Sequence, residues 1–155
     1  MTDDWFDLLA ALLDSDVRFL VVGAHALAAH GVPRGTQDLD VWIDPARPNA
    51  DRVWRALSAF GAPMESLALS IDDLTRTDVV VQLGVSPSRI DLLTGLSGVP
   101  DFETGWNGRL EVRVRSRVVP FLGRAELVAT KRAAGRPKDR ADLHALGEPL
   151  DEARA

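Results

Sequence analysis

Two short apolar segments near the start of the chain, separated by a helical stretch, restrict how it can fold. Val17 to Val22 is a continuous apolar run rich in β-branched residues, which is typical of a strand buried on both faces. Gly23 to His30 predicts a helix that Gly31 ends in a left-handed conformation. Asp38 to Ile43 alternates acidic with apolar residues and predicts a second strand. This order indicates a mixture of helices and strands.

Similar patterns continue to the end of the chain. Further helices are predicted at Asp4 to Leu13, Ala50 to Phe60, Arg124 to Ala134 and Lys138 to Leu146. Two hairpins are predicted, one from Val79 to Gly84 with Arg89 to Leu93 and one from Leu110 to Val114 with Arg117 to Phe121. With no repeat or linker visible, we expect one α+β (mixed α/β) domain around a single sheet over residues 1–147, followed by a tail over 148–155.

Composition excludes several classes of protein. The 155 residues are 46% hydrophobic and 26% charged, as in globular domains, and cysteine is absent, which excludes disulfides, thiolate zinc sites and cysteine nucleophiles. No apolar run is long enough for a membrane span and no signal peptide is visible, so we expect a cytoplasmic protein without a membrane partner. The net charge of −5 disfavours binding of extended nucleic acid and favours a small substrate or a protein partner.

Three acidic residues suggest a metal site. Alternate residues of a strand share a face, so Asp38 and Asp40 project together. Two neighbouring carboxylates need a positive partner, and Mg²⁺, which prefers oxygen ligands, is the natural candidate. Asp91 lies between two apolar residues of another predicted strand and is the best candidate for a third ligand. Two Mg²⁺ ions about 4 Å apart can hold the attacking and leaving oxygens of a nucleotidyl transfer.

Gly23 stands where the first strand gives way to a helix. Because it lacks a side chain, backbone N–H groups there, including that of Ala24, can approach phosphate oxygens. The same turn carries a resemblance. Gly23-Ala24 followed by Asp38-x-Asp40 resembles the DNA polymerase beta-like nucleotidyltransferase superfamily, which has Gly-Gly or Gly-Ser at the turn.

Further motifs are similar to small bacterial nucleotidyltransferases related to abortive-infection type E toxins. The matching residues are His30-Gly31, Arg34 and Thr36 ahead of the acidic pair, then Lys131-x-x-Ala134 and Lys138-Asp139-x-x-Asp142-Leu143. The resemblance implies a central mixed sheet flanked by helices and transfer of a nucleoside monophosphate from a triphosphate such as ATP or GTP. It also implies a triphosphate contact for Lys131 and a role in a toxin–antitoxin system, with a cognate toxin or antitoxin as partner.

Several alternatives stay open. The acceptor hydroxyl could belong to a protein, to the 3′ end of a transfer RNA or to a small molecule such as an antibiotic. Ala24 cannot offer the hydroxyl of a family serine, so an inactive nucleotide-binding or protein-interaction module is the competing prediction. Arg34 could pair with phosphate or carboxylates, or lie in solvent. Thr36 could contact phosphate or stabilise its loop.

Other residues are assigned to structure. We expect packing rather than nucleobase stacking for Trp42, and no chemistry for the histidines. We expect ion pairs or caps for Asp139 and Asp142. The arginines that alternate along the second hairpin are expected to face solvent, with an RNA-facing strip as the alternative; they are Arg109, Arg113, Arg115 and Arg117.

Overall fold

The computed structural model describes residues 1–149 of the chain. Six α-helices and six strands lie in these residues. The helices are α1 (Asp3–Asp14), α2 (Gly23–Ala29), α3 (Arg47–Phe60), α4 (Phe102–Asn107), α5 (Arg124–Ala134) and α6 (Pro137–Ala145). The strands are β1 (Phe19–Val22), β2 (Asp38–Ile43), β3 (Val80–Leu83), β4 (Arg89–Leu93), β5 (Leu110–Val114) and β6 (Arg117–Phe121).

All six strands form one mixed sheet in the order β3-β4-β2-β1-β6-β5. β1 pairs antiparallel with β2 and parallel with β6, while β2 pairs parallel with β4. The two predicted hairpins, β3–β4 and β5–β6, are present and antiparallel. The predicted α+β architecture with a single mixed sheet is therefore confirmed.

The core lies on both sides of the central strands. Every residue of β1 is buried, as its continuous apolar run predicts. The apolar side chains next to the acids of β2 and β4 are also buried, including Leu39, Ile90 and Leu92. α1 buries a face of Trp5, Leu8, Leu9 and Leu12 and packs against α3. This packing leaves the acidic face of β2 and β4 on the opposite side from Leu39 and Ile90.

Two segments differ from the sequence-based expectation. α3 begins at Arg47 rather than at residue 50, because Pro48 lies in its first turn, where a missing N–H removes no helical hydrogen bond. α4 was not predicted. It has six residues, and Asp101 caps it by accepting a hydrogen bond from the Thr104 N–H at 2.9 Å. A helix of under two turns is too short to show apolar periodicity.

No helix within residues 1–149 is long and apolar enough to cross a membrane. Most of the predicted C-terminal tail, residues 150–155, lies outside the described residues. The first tail residue, Glu148, is held against α5, since its carboxylate lies 3.1 Å from Arg124 and 3.6 Å from Arg132.

Candidate active site

The three predicted acids lie on one face of two adjacent strands. β2 and β4 run parallel, and their register places Asp40 directly beside Asp91. The same register places Asp38 beside Arg89, two residues before Asp91. Because side chains alternate along each strand, all four project from the same face of the sheet. The structure therefore brings together two acids of β2 and one of β4, which are separated by about fifty residues of sequence.

Arg89 is a site residue that the sequence analysis did not single out. One terminal nitrogen of its guanidinium, Nη2, lies 3.1 Å from Asp38 Oδ2 and 3.1 Å from Asp91 Oδ2. Its backbone carbonyl accepts a hydrogen bond from Trp5 Nε1 at 3.1 Å, which ties β4 to α1. The signal that could have revealed it is its position two residues before Asp91, which predicts the same strand face.

The remaining acid, Asp40, is in a different electrostatic state. Burial, together with the charges of Asp91 and then Asp38, raises the pKa of Asp40 from 3.8 to about 6. Asp91 is buried, and its Oδ1 has no hydrogen-bond donor in the described part of the chain while Asp40 is ionised, whereas a protonated Asp40 can hydrogen-bond to Asp91. An unsatisfied buried carboxylate oxygen is costly, and it is the kind of atom that a bound cation would satisfy.

The residues of this cluster have the donor groups of a site for a divalent cation. Their carboxylate oxygens are the ligands that Mg²⁺ prefers, and after burial the like charges of Asp91 and Asp38 contribute to the raised pKa of Asp40. In the arrangement described for residues 1–149, however, no group of three carboxylate or imidazole side chains is placed to hold a metal ion. Arg89 lies between two of the three acids. The donor chemistry of the three carboxylates suits Mg²⁺, whereas their present arrangement, with Arg89 hydrogen-bonded to two of them, is not that of a formed metal site.

Gly23, the first residue of α2 directly after β1, contacts this acidic cluster. Its φ of +67° is in the left-handed region that favours glycine, and a Cβ at this position would collide with Asp40 Oδ2. The register of β1 and β2 explains the proximity, because Val22 lies directly beside Asp40. Ala24 follows in the first turn of α2. The glycine is therefore required both by the backbone turn and by the space that Asp40 occupies.

A cleft of about 310 Å³ opens beside Gly23 and Asp40. Its far wall comes from the end of the chain and carries Lys131, Arg136 and Asp139. Asp38, Asp91, Arg34 and Thr36 do not line it. The cleft thus joins Asp40 of the cluster to two cations and a second acid from α5, the α5–α6 connection and α6, and its volume is in the range of small-ligand sites.

The cations of the far wall belong to a network of ion pairs. Lys131 Nζ lies 2.9 Å from Asp142 Oδ2 and 3.5 Å from Asp139 Oδ1, and all three side chains are largely buried. Arg34 reaches Asp142 from the loop before β2, at 2.9 Å. Arg136 pairs with Asp139 at 2.6 Å. The structural roles predicted for Asp139 and Asp142 agree with these contacts, and Arg34 pairs with a carboxylate outside the β2–β4 cluster.

Comparison with known proteins supports the fold. No protein-family model matches the sequence, and no curated protein matches it. Among solved structures, the chain is similar to the crystal structure of a putative nucleotidyltransferase from Thermotoga maritima. The two share a TM-score of 0.60 at 16% sequence identity, over 91% of this chain and 88% of the other. The fold is nucleotidyltransferase-like. At this identity the similarity extends to the fold alone.

Within this nucleotidyltransferase-like fold, two of the remaining candidates have structural contacts. The Thr36 hydroxyl donates to the Asp38 carbonyl at 3.0 Å and accepts from the Asp38 N–H at 3.1 Å, so it fixes the start of β2. Trp42 is buried, and its ring meets Phe102 edge to face at 5.0 Å between centroids, as the packing prediction expects. A Cβ on Gly105 would lie 2.6 Å from the Trp42 ring, so the glycine admits that ring.

Two of the histidines and three of the hairpin arginines, Arg109, Arg115 and Arg117, also have local partners. His25 packs edge to face on Trp5 at 4.9 Å, and burial lowers its pKa, so it is neutral at pH 7. His30 hydrogen-bonds through Nε2 to the Leu122 carbonyl at 2.8 Å. Of the hairpin arginines, Arg115 and Arg117 form ion pairs with Asp3 and Asp14 of α1, each at 2.9 Å.

Proposed function

We propose that this protein is a magnesium-dependent nucleotidyltransferase, which moves a nucleoside monophosphate from a nucleoside triphosphate to a hydroxyl and releases pyrophosphate. The single observation that carries the proposal is the position of the Asp40 carboxyl. It lies against Gly23, beside Asp91 in the strand register, and lines a cleft whose other wall presents Lys131.

Asp38, Asp40 and Asp91 are the residues that would hold magnesium. When bound, Mg²⁺ neutralises charge on the reacting phosphate oxygens and lowers the pKa of an oxygen nucleophile. Asp91 would hold the second ion or accept the proton of the acceptor hydroxyl, a role suited to an acid with one unsatisfied oxygen. The Gly23-Ala24 turn would offer its backbone N–H groups to the triphosphate.

Lys131 is the proposed cation for the triphosphate from the opposite wall. Its side chain is 14% exposed and its ammonium group contacts two acids, so the group is fixed in place rather than free in solvent. Arg34 would act through Asp142, which it holds in contact with Lys131, rather than by touching phosphate in this arrangement. Thr36 would position Asp38 by fixing the first peptide of β2.

The proposal specifies the acceptor only as a molecule that carries a hydroxyl group. A protein side chain, a transfer RNA end or a small molecule each offers the required hydroxyl, and the net charge of −5 argues against a grip on extended nucleic acid. A toxin–antitoxin role, with a cognate protein partner, follows from the resemblance to the type E toxins. Four residues of the motifs behind that resemblance, Arg34, Lys131, Asp139 and Asp142, meet in one ion-pair network.

Label transfer tests the function directly. Purified protein would be incubated with each α-labelled nucleoside triphosphate, Mg²⁺ and cell extract, and wild type compared with Asp38→Asn and Asp40→Asn. Asp51→Asn, on the exposed side of α3, is the matched control. We expect transfer by wild type and the control and none by the site variants. Magnesium-dependent nucleotide binding without transfer or pyrophosphate release would instead support the inactive binding module.

A further inference from the structure

The contact between Arg89 and the acidic cluster has a consequence for metal binding. Arg89 Nη2 lies 3.1 Å from an oxygen of Asp38 and 3.1 Å from an oxygen of Asp91, so one nitrogen bridges two strands. Both carboxylates are proposed ligands of the metal. A guanidinium cannot lose its proton at ordinary pH, so its positive charge must leave this position before a metal ion can occupy it.

We propose that Arg89 is a built-in counter-cation that competes with the divalent ion, and that its displacement sets the metal affinity of the site. The inference rests on the proposed function, because it concerns the same three carboxylates. It goes further by assigning a role to a residue that supplies no oxygen ligand. Arg89 is a positioning residue here: it holds Asp38 and Asp91 together while the metal is absent.

Two atoms at this bridge lack hydrogen-bond partners, which favours displacement of the Arg89 side chain. The Arg89 Nε is buried and has no hydrogen-bond partner among the described residues, and the same is true of Asp91 Oδ1. In a well-formed arginine–carboxylate pair two parallel hydrogen bonds form, whereas here each carboxylate receives a bond from the same nitrogen. A metal ion could bond the unsatisfied Asp91 oxygen, which Arg89 does not reach.

The Arg89 side chain is also accessible to solvent. The Arg89 side chain is 34% exposed, against 11% for the Asp91 side chain, so part of it reaches solvent at the rim of the cluster even though its Nε is buried. Asp38 is 32% exposed at the same rim. Rotation of the arginine toward solvent would open the space between the two acids without unpacking the core, because the backbone of Arg89 stays fixed by its hydrogen bond from Trp5.

Mn²⁺ titration of the full chain, followed by electron paramagnetic resonance, tests this. The variants are Arg89→Gln, which removes the charge, and Arg113→Gln on the exposed part of β5, which makes the same change in net charge away from the site. We expect Arg89→Gln to bind Mn²⁺ about tenfold more tightly than wild type. This change follows if Arg89 bridges Asp38 and Asp91 in roughly nine-tenths of the metal-free wild-type molecules. Arg113→Gln should stay within about twofold of wild type, since exposed charges far from the site are screened.

Thermal unfolding supplies a second readout. Without metal, Arg89→Gln should unfold at a lower temperature than wild type, because three acids lose their counter-cation, and Mg²⁺ should raise its Tm by more than it raises that of wild type.

Equal or weaker Mn²⁺ binding by Arg89→Gln, with wild type still binding, would overturn the competition and leave the proposed metal site standing. If wild type and Arg89→Gln both bind no Mn²⁺ at millimolar concentrations, the metal site and the competition fail together. If Arg113→Gln also binds Mn²⁺ more tightly than wild type, the effect comes from net charge, and the proposal is overturned.

Discussion

Gly23 and Asp40 lie against each other across β1 and β2 so closely that a methyl group on the glycine would collide with Oδ2 of the acid. The glycine also has φ +67°, a conformation that costs other L-residues about 1–2 kcal/mol. The end of β1 and the proposed metal ligand therefore depend on the same residue. Substitution at this position should affect both the stability of the turn and the placement of the acid.

Gly23→Ala should lose roughly 2–4 kcal/mol of unfolding free energy and abolish label transfer, since its methyl group displaces Asp40. Gly61→Ala is the matched control: φ at Gly61 is +89°, and a Cβ there meets nothing within 4 Å. It should lose only about 1–2 kcal/mol and keep full transfer. Urea unfolding and the transfer assay measure both effects. Equal losses in the two variants would mean that the contact with Asp40 is unimportant.

Asp142→Asn should weaken the ion-pair network that supports Lys131. Asp142 contacts both Lys131 and Arg34 at 2.9 Å, and its side chain is only 10% exposed. Removing one partner of a largely buried ion pair leaves charge uncompensated, so we expect a loss of about 2–4 kcal/mol in urea unfolding. Nucleotide affinity should fall as well, because Lys131 loses one of the two acids that fix it.

The control for that variant is Asp51→Asn. Its pair with Arg47 is an exposed i,i+4 contact at 3.4 Å, which should contribute no more than about 0.5 kcal/mol. A loss in Asp142→Asn as small as that in Asp51→Asn would show that the network is not a stabilising unit.

The raised pKa of Asp40 predicts a pH-dependent stability. The folded protein holds this proton up to about pH 6, whereas the unfolded chain releases it near 3.8. The stabilising contribution is therefore complete below about pH 3.8 and is lost as the pH rises through 6.

Asp40→Asn removes the ionisable carboxyl and with it the loss of stability as the pH rises. With a chelator present, it should be about 1–2 kcal/mol more stable than wild type at pH 7.5, allowing for solvent screening of a half-buried carboxyl, and should show no such gain at pH 4. Urea unfolding at the two pH values measures the difference. An equal gain in stability at both pH values would show that the gain comes from packing rather than from charge.

The acidic site was partly predictable because its signals are local. The alternation of Asp38 and Asp40 with buried residues fixes a shared face, and Asp91 stands out as an acid between Ile90 and Leu92. β1 and the hairpins were predictable for the same reason. The position of Gly23 at a strand end was visible, but its contact with Asp40 depends on the pairing of β1 with β2.

The relationships that complete the site are not local. Arg89 meets Asp38 across 51 residues because β4 pairs with β2, and Arg34 meets Asp142 across 108 residues because α6 packs near the loop before β2. No periodicity in the sequence specifies either neighbour. α4 was missed for another reason, because its six residues give too little pattern and its position depends on Asp101 and on the ring of Trp42.

In the proposed function, Asp40 and its two neighbouring acids bind a triphosphate through magnesium. Isothermal titration calorimetry with a non-hydrolysable α,β-methylene nucleoside triphosphate measures this most directly, with Mg²⁺ and then with EDTA. We predict binding by wild type only with Mg²⁺, and none by Asp40→Asn under either condition. Binding of the same affinity in wild type and Asp40→Asn, or no binding by folded wild type with any of the common bases, would contradict the account.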